Sequence, residues 1–419
     1  MFKVIEAFSG IGAQAKALER IGQKYDIVNT CDWDISAIIA YYLIHNKNKK
    51  GLAEYDIVSD LEIDDYLKSK TLSLDGKKPI NETSLSRISA DVKRLLYVAI
   101  KETNNLVSIT DVKGEDIPED IDLLTYSFPC QDLSACSYWH GNKSGISRSA
   151  NNRSGMLWEV ERILMEMKEV GKNLPRFLVM ENVTNILSAM YKNDFNDWMH
   201  TLDSLGYYNK IYCLNAKDFG VPQKRKRAYM ISILSNNDAS LFMELSRYFN
   251  DNNLENSKVA DRYKSRAFKL KDVLKVDYTD ERYKLEADAS QPNDTPSREK
   301  IFNDNDILFA DNVINEICVN TITTKQDRNP NSGLIMYNND YPGKAKWRYL
   351  TPRECFLLMG FDENDYDSLI NCNPEYMQGK YLLTNDKLLK LAGNSICVDV
   401  LEAIFRQIME INSSVLNRV

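Results

Sequence analysis

The sequence predicts an α/β fold, a large sheet-and-helix domain into which a smaller domain is inserted. Three observations carry that reading. The chain opens with an apolar strand, a glycine-bearing turn and a helix with apolar spacing. Two short apolar runs, Ile121-Asp122-Leu123-Leu124 and Phe177-Leu178-Val179-Met180, have the length of buried strands, and each leads to a chemically useful side chain. From about residue 235 to 347 the composition shifts toward Asn, Asp, Lys and Tyr, before apolar patterning resumes.

In chain order, Lys3-Val4-Ile5-Glu6-Ala7-Phe8 is the first strand, Ser9-Gly10-Ile11-Gly12 a tight turn, and 13–21 a helix. Glycines let the backbone approach a ligand, and the helix N-terminus offers free N–H groups. NAD, FAD and S-adenosylmethionine sites all use this arrangement. A second strand, 25–29, runs to Cys31-Asp32-Trp33-Asp34, where Asp32 suits a ribose diol and Trp33 an adenine ring. Residues 50–107 are a charged stretch with a helix over 86–103, expected to be an inserted helical excursion.

The peptide from Thr125 to Ser134 follows the 121–124 run, so Pro129 ends the strand and Cys130 heads the loop after it. A lone cysteine is most often a small buried hydrophobe. Here the position at a strand's carboxyl edge favours chemistry, with Pro129 stiffening the approach and Gln131 and Ser134 able to hydrogen-bond. The glycine- and serine-rich loop 139–155 is suited to closing over a substrate. A helix then starts at Ser154-Gly155-Met156-Leu157-Trp158. Glu181 ends the 177–180 strand; alone it would read as a helix cap, and beside Cys130 it completes an acid and nucleophile pair. Residues 208–214 and 227–234 read as an antiparallel pair joined through Phe219-Gly220-Val221-Pro222-Gln223-Lys224-Arg225-Lys226-Arg227. Thr351 is an N-cap with Pro352 at the first helical position, and a last apolar helix over 396–411 brings Asn394 and Ser395 back to the pocket.

Composition narrows the classes. The chain has 419 residues, 43% of them hydrophobic, with no uninterrupted apolar run of membrane-spanning length and a strand at its N-terminus, so a cytoplasmic location is expected. Eight cysteines without CxxC spacing and three scattered histidines point to neither a disulfide framework nor a metal. The net charge of −7 speaks against a generally basic nucleic-acid binder, although residues 224–227 and 262–275 can supply local phosphate contacts.

The Phe-Pro-Cys-Gln peptide at 128–131, with these blocks in this order, resembles a DNA (cytosine-5) methyltransferase of the bacterial restriction-modification type. The resemblance covers most of 3–234 and about 348–405. It implies a Rossmann-like S-adenosylmethionine-dependent domain over 1–234, a target-recognition domain over 235–385 and a returning C-terminal helix over 386–419. It implies cofactor contacts from Phe8, Ser9, Gly10, Ile11, Gly12, Asp32, Trp33, Asp111, Val112, Pro129, Leu157, Asn394 and Ser395. Of these, Asp111 is preferred over the competing placement at Ser59-Asp60-Leu61. Catalysis falls to Cys130, Glu181, Arg225 and Arg227, and substrate contacts to Gln131, Ser134, Gln223 and Thr323. Two departures are Glu6 in place of the usual Asp and Ala13 in place of a second glycine. The implied partners are double-stranded DNA and an independently acting restriction endonuclease, for a monomer in a bacterial cytoplasm with no membrane contact.

Three alternatives stay open. An RNA cytosine methyltransferase would use the same Cys130 and Glu181. A nicotinamide oxidoreductase rests on the glycine turn alone and leaves Cys130, Glu181 and 223–227 unexplained. A non-catalytic DNA-binding relative would have no use for the Cys130 and Glu181 pair.

Overall fold

Strand β1 (Phe2–Ala7) separates two hydrophobic cores, because Val4 faces one and Ile5 and Ala7 the other. The computed structural model describes residues 1–46, 55, 57–130, 133, 146, 148, 153–328 and 331–416. After β1, Gly10 and Gly12 turn the chain at φ +54° and +75° into α1 (Ala13–Arg20). β2 (Tyr25–Cys31) and α2 (Ile35–His45) follow, with the Asp34 side chain accepting from the Ser36 N–H to cap α2.

Helices α3 (Asp60–Lys68), α4 (Glu82–Ser86) and α5 (Ala90–Glu102) occupy the stretch expected to be an excursion. These helices belong to the main core: Ile63, Leu67, Leu85, Val92 and Leu96 are buried with Ile38 and Ile39, and α5 packs on α2. The helix expected over 86–103 begins at Ala90, because Ser89 caps it by accepting from the Val92 N–H. Asn105 then forms a parallel bridge to Thr30, which among the described residues is what extends the sheet beyond β2.

β3 (Leu123–Tyr126), α6 (Leu157–Glu169), β4 (Phe177–Val183), α7 (Lys192–Ser204), β5 (Tyr207–Asn215), β6 (Gln223–Lys224) and β7 (Lys226–Leu234) complete the main sheet region. The six-stranded order is β2-β1-β3-β4-β7-β5. The first four are parallel, and β7 runs antiparallel to both β4 and β5, as expected of the 208–214 and 227–234 pair. The carboxyl ends of β1 to β4 therefore share one edge.

The expected boundary at 235 does not mark a new core. Helices α8 (Ala239–Asp251), α9 (Ser257–Tyr263) and α10 (Leu270–Val273) pack onto the main core through Leu245, Phe249, Val259 and Leu270. A separate small core lies in the next stretch of chain, which forms α11 (Glu281–Ala289), α12 (Pro296–Asn303), β8 (Ile307–Ala310), β9 (Val313–Ile314), β10 (Val319–Asn320), β11 (Leu334–Met336) and β12 (Trp347–Tyr349). Its sheet has the order β12-β11-β8-β9, over Ile301, Leu334, Ala345, Trp347 and Tyr349.

The chain then rejoins the main core in α13 (Pro352–Leu358) and α14 (Glu363–Asn371), where Phe356 and Tyr366 are buried. Thr351 caps α13 in a reciprocal box with Glu354, as expected. Arg353 ties the two parts together, at 2.8 Å from Glu286 of α11 and 2.7 Å from Asp367 of α14. Finally α15 (Asn385–Asn394) leads to α16 (Val398–Glu410), which packs against α1. Among the described residues no helix is long and apolar enough to cross a membrane, and no cluster of His, Cys, Asp and Glu could hold a metal ion.

Candidate active site

A cavity of about 410 Å³ runs along the shared carboxyl edge of β1 to β4. At one end lies the glycine turn. Ser9 N–H donates to the Cys31 carbonyl at 3.1 Å, which docks the turn on β2. Phe8 sits at φ +57°, a left-handed conformation that is unusual for so large a side chain. A Cβ built at Gly10 would meet nothing within 4 Å, so this backbone is open to a ligand.

Asp32 accepts the Gly10 N–H and the Asp34 N–H, both at 2.9 Å. Burial, with a smaller contribution from Asp34, pushes its carboxyl up to about 6. Such a carboxylate gains from further donors, and a ribose diol would supply two. The Trp33 ring stands on the same wall. An adenosine therefore fits this half on the residues present.

His45 supports the turn from behind. Its Nε2 donates to the Ile11 carbonyl at 3.0 Å, its ring lies 4.6 Å from Tyr41, and a Cβ at Gly12 would fall 2.2 Å from it. Gly12 is thus required for packing beneath the turn and is not on the cavity wall. Burial lowers the His45 imidazole to about 4, so it is neutral at neutral pH.

The other end carries Cys130, Glu181 and Arg227. Ser127 Oγ donates to Glu181 Oε2 at 2.6 Å, and Arg227 Nε lies 3.5 Å from Glu181 Oε1. The Asn182 amide donates to the Phe128 carbonyl at 3.1 Å, linking the ends of β3 and β4. Burial and then the Glu181 charge raise the Cys130 thiol, outweighing Arg227 and Arg225, which pull it down. The arrangement places a half-buried thiol, a fixed carboxylate and a guanidinium around one space continuous with the hollow lined by Asp32, Trp33 and the glycine turn.

Residues 61–410 match the C-5 cytosine-specific DNA methylase family. The orphan methyltransferase M.SssI of Spiroplasma monobiae is 35% identical over 411 residues, covering 97% of each chain. The type II methyltransferase M2.ScrFI of Lactococcus lactis subsp. cremoris is 30% identical over 410 residues, covering 98% of this chain and 99% of its own. The chain belongs to the C-5 cytosine-specific DNA methylases.

It is accordingly a DNA (cytosine-5)-methyltransferase that uses S-adenosylmethionine and acts on DNA. The fold agrees: the S. pombe Dnmt2 methyltransferase superposes with a TM-score of 0.59 at 18% identity, covering 98% of this chain and 99% of that one. The Entamoeba histolytica methyltransferase EhMeth gives 0.53 at 16%, covering 98% of each chain.

Of the cofactor residues that the resemblance implies, Phe8, Ser9, Gly10, Ile11, Asp32, Trp33, Pro129, Asn394 and Ser395 line the cavity of this methyltransferase. Asp111 and Val112 do not. Asp111 is exposed, while Val112 is buried in the core, and the wall is made by Val107, Ser108, Ile109 and Thr110. Asp60, the competing placement, is on the outside and pairs with Arg94 at 2.5 Å. Leu157 is fully buried in the core; its neighbour Met156 lines the cavity instead.

Three residues of the expected catalytic and substrate set are corrected in role. Arg225, expected at the loop or a phosphate, is buried and spends its guanidinium on the carbonyls of Ile322, Gly393 and Ser395, at 3.0, 3.1 and 2.7 Å. Gln223 is fully buried, donating to the Leu358 carbonyl and accepting from the Ile322 N–H. The Thr323 hydroxyl is turned to the Lys325 carbonyl, away from the cavity. Gln131, Ser134 and most of the loop 139–155 lie outside the described residues. The sequence reading missed Asn182, His45, Lys390 and the 71–79 segment. Asp75-Gly76-Lys77-Lys78-Pro79 carries a turn signature, yet nothing local ties it to Trp33.

Proposed function

We propose that this enzyme methylates carbon 5 of a cytosine flipped out of duplex DNA, through a covalent bond from Cys130 Sγ to carbon 6. The observation that carries the reading is the single cavity shared by Cys130, Glu181, Arg227 and the Asp32 and Gly10 end. Cytosine carbon 5 is a weak nucleophile, and addition of a thiolate at carbon 6 turns the ring into an enamine that is a strong one.

Cys130 gives its proton to solvent water, and its thiolate sulfur adds to carbon 6. Glu181, fixed by Ser127 and Arg227, delivers a proton to ring N3 as electron density builds there. Arg227 reaches the cytosine O2. Asp32, Trp33 and the glycine turn would hold S-adenosylmethionine, which would supply the methyl group to carbon 5 as its sulfonium S–CH3 bond breaks, leaving S-adenosylhomocysteine. A solvent water then takes the carbon 5 proton, and the electron pair of that bond expels the Cys130 thiolate and restores the aromatic base. Arg225 acts as a positioning residue, holding 393–395 against 322 beside the reacting groups.

A base within a stacked duplex exposes neither face, so extrusion is required, at a cost of a few kcal/mol. The separate core between 301 and 349 is assigned to recognition of the target sequence by a monomer. Support for a restriction-modification setting comes from M2.ScrFI, named a type II methyltransferase, whereas M.SssI is named an orphan.

The test is transfer of labelled methyl from S-adenosylmethionine to mixed-sequence duplex DNA, followed by bisulfite sequencing. The expected result is 5-methylcytosine at one short recurring word. Transfer to an RNA transcript and none to DNA would overturn the reading.

A further inference from the structure

Residues 71–79 form one wall of the cavity, contributing Thr71, Gly76, Lys77 and Pro79. The segment is closed on itself. Asp75 Oδ1 accepts the Lys77 and Lys78 N–H groups at 2.8 and 3.3 Å, while Ser73 Oγ donates to the Lys78 carbonyl at 2.6 Å and accepts the Gly76 N–H at 3.0 Å. It is also docked: the Ser73 N–H donates to the Trp33 carbonyl, and Lys390 Nζ donates at 2.7 Å both to Asp34 Oδ2 and to the Asp75 carbonyl. Gly76, at φ +64°, fits so closely that a Cβ would lie 3.1 Å from Asp34 Oδ2. Lys77 is therefore presented at the mouth by a preformed turn beside Trp33 and Asp34.

Among the described residues four cationic side chains line this cavity, and three are committed. Arg225 is held by three carbonyls, Arg227 faces Glu181, and Lys390 pairs with Asp34. Among the described residues the Lys77 ammonium has no carboxylate or carbonyl partner. The cofactor brings a carboxylate on its amino-acid half, and a carboxylate entering a hollow already lined by Asp32, Asp34 and Glu181 is favoured by an unpaired cation.

We propose that Lys77 binds the α-carboxylate of S-adenosylmethionine, making the 71–79 turn a part of the cofactor site. This rests on the methyltransferase reading of the cavity. The test is calorimetric binding to the full-length protein of two ligands, S-adenosylhomocysteine and 5′-methylthioadenosine, the second lacking the amino-acid half. Lys77→Ala is expected to weaken S-adenosylhomocysteine about fivefold, the upper range for a solvent-exposed ion pair, and to leave 5′-methylthioadenosine unchanged. Lys77→Glu should weaken the first ligand further, and Lys77→Arg should restore it.

Equal losses for both ligands would show that the turn only shapes the wall, and the proposal would fall. An unchanged S-adenosylhomocysteine affinity with weaker DNA binding would assign Lys77 to the DNA backbone and also overturn it. If the unaltered protein bound neither ligand, the cofactor reading itself would be at fault.

Discussion

The side-chain amide of Asn182 reaches 3.1 Å to the carbonyl of Phe128, so the strand end that carries Glu181 holds the turn that presents Cys130. Both partners are buried. Asn182→Ala leaves that carbonyl without its donor, a loss of about 1–3 kcal/mol of stability. Thermal melting should show the drop. Single-turnover methylation should slow while S-adenosylhomocysteine affinity holds; a normal rate would mean that the turn keeps its shape unaided.

Cys130→Ser tests the nucleophile directly. An alcohol at this position does not ionise at neutral pH, so methyl transfer should fall by roughly 10³-fold or more. Cofactor binding, which depends on the other end of the cavity, should be retained. Substantial activity in the serine variant would remove Cys130 from its assigned role.

The pH dependence of the first turnover has a definite sign. Burial and Glu181 raise the Cys130 thiol above its ordinary value, so the reactive thiolate is the minor form at neutral pH. The rate should climb with pH, by about tenfold per unit between pH 7 and 9, until the thiol is ionised or the fold yields. A flat profile over that range would mean that bound DNA resets the thiol, contrary to the free-enzyme electrostatics.

Glu6 gives a second pH effect, on stability. Burial pushes its carboxyl up to about 8 in the folded protein, partly offset by Tyr41. A raised folded value means that the folded state keeps a proton which the unfolded chain releases. The stabilising contribution is complete below the ordinary value of 4.5 and declines as pH rises toward 8. Glu6→Gln should abolish that slope, roughly 1.4 kcal/mol per pH unit at most, and melt higher than the unaltered protein at pH 8. Parallel melting curves across this window would contradict the burial of a titrating acid.

Gly393 is the fifth test. A Cβ there would lie 2.4 Å from the Thr323 carbonyl carbon, a backbone atom that cannot swing aside. Gly393→Ala should therefore force 393–395 away from 322–323, break the Arg225 clamp, and lower both the melting temperature and cofactor affinity. Denaturation and calorimetry with S-adenosylhomocysteine check the two effects separately.

The strand ends were legible because a short apolar run closed by a glycine turn or a proline has few alternatives. Phe8 to Ile11, Asp32 with Trp33, and Pro129 with Cys130 all reach the cavity wall. The third block was harder. Its strand is reduced to the Asn105 bridge, so the turn that lines the cavity comes earlier than the acid the pattern points to. Leu157 and Met156 differ only by a step around the start of a helix, a phase no strand pattern fixes. Gln223 and Arg225 satisfy backbone groups at least 97 residues distant, and those partners have no local signature. The 71–79 turn was readable as a turn, but its docking on Trp33 and Lys390 exists only in three dimensions.

The cavity draws its walls from both halves of the chain: Phe8 to Ile11 from one, Asn394 to Ile396 from the other. During synthesis, a ribosome that has released the glycine turn still has more than three hundred residues to add before Asn394 emerges. A nascent chain can thus assemble much of the sheet yet hold no complete cofactor pocket. A fragment terminated before Asn394, though carrying Cys130 and Glu181, would lack the wall that Asn394 to Ile396 supply.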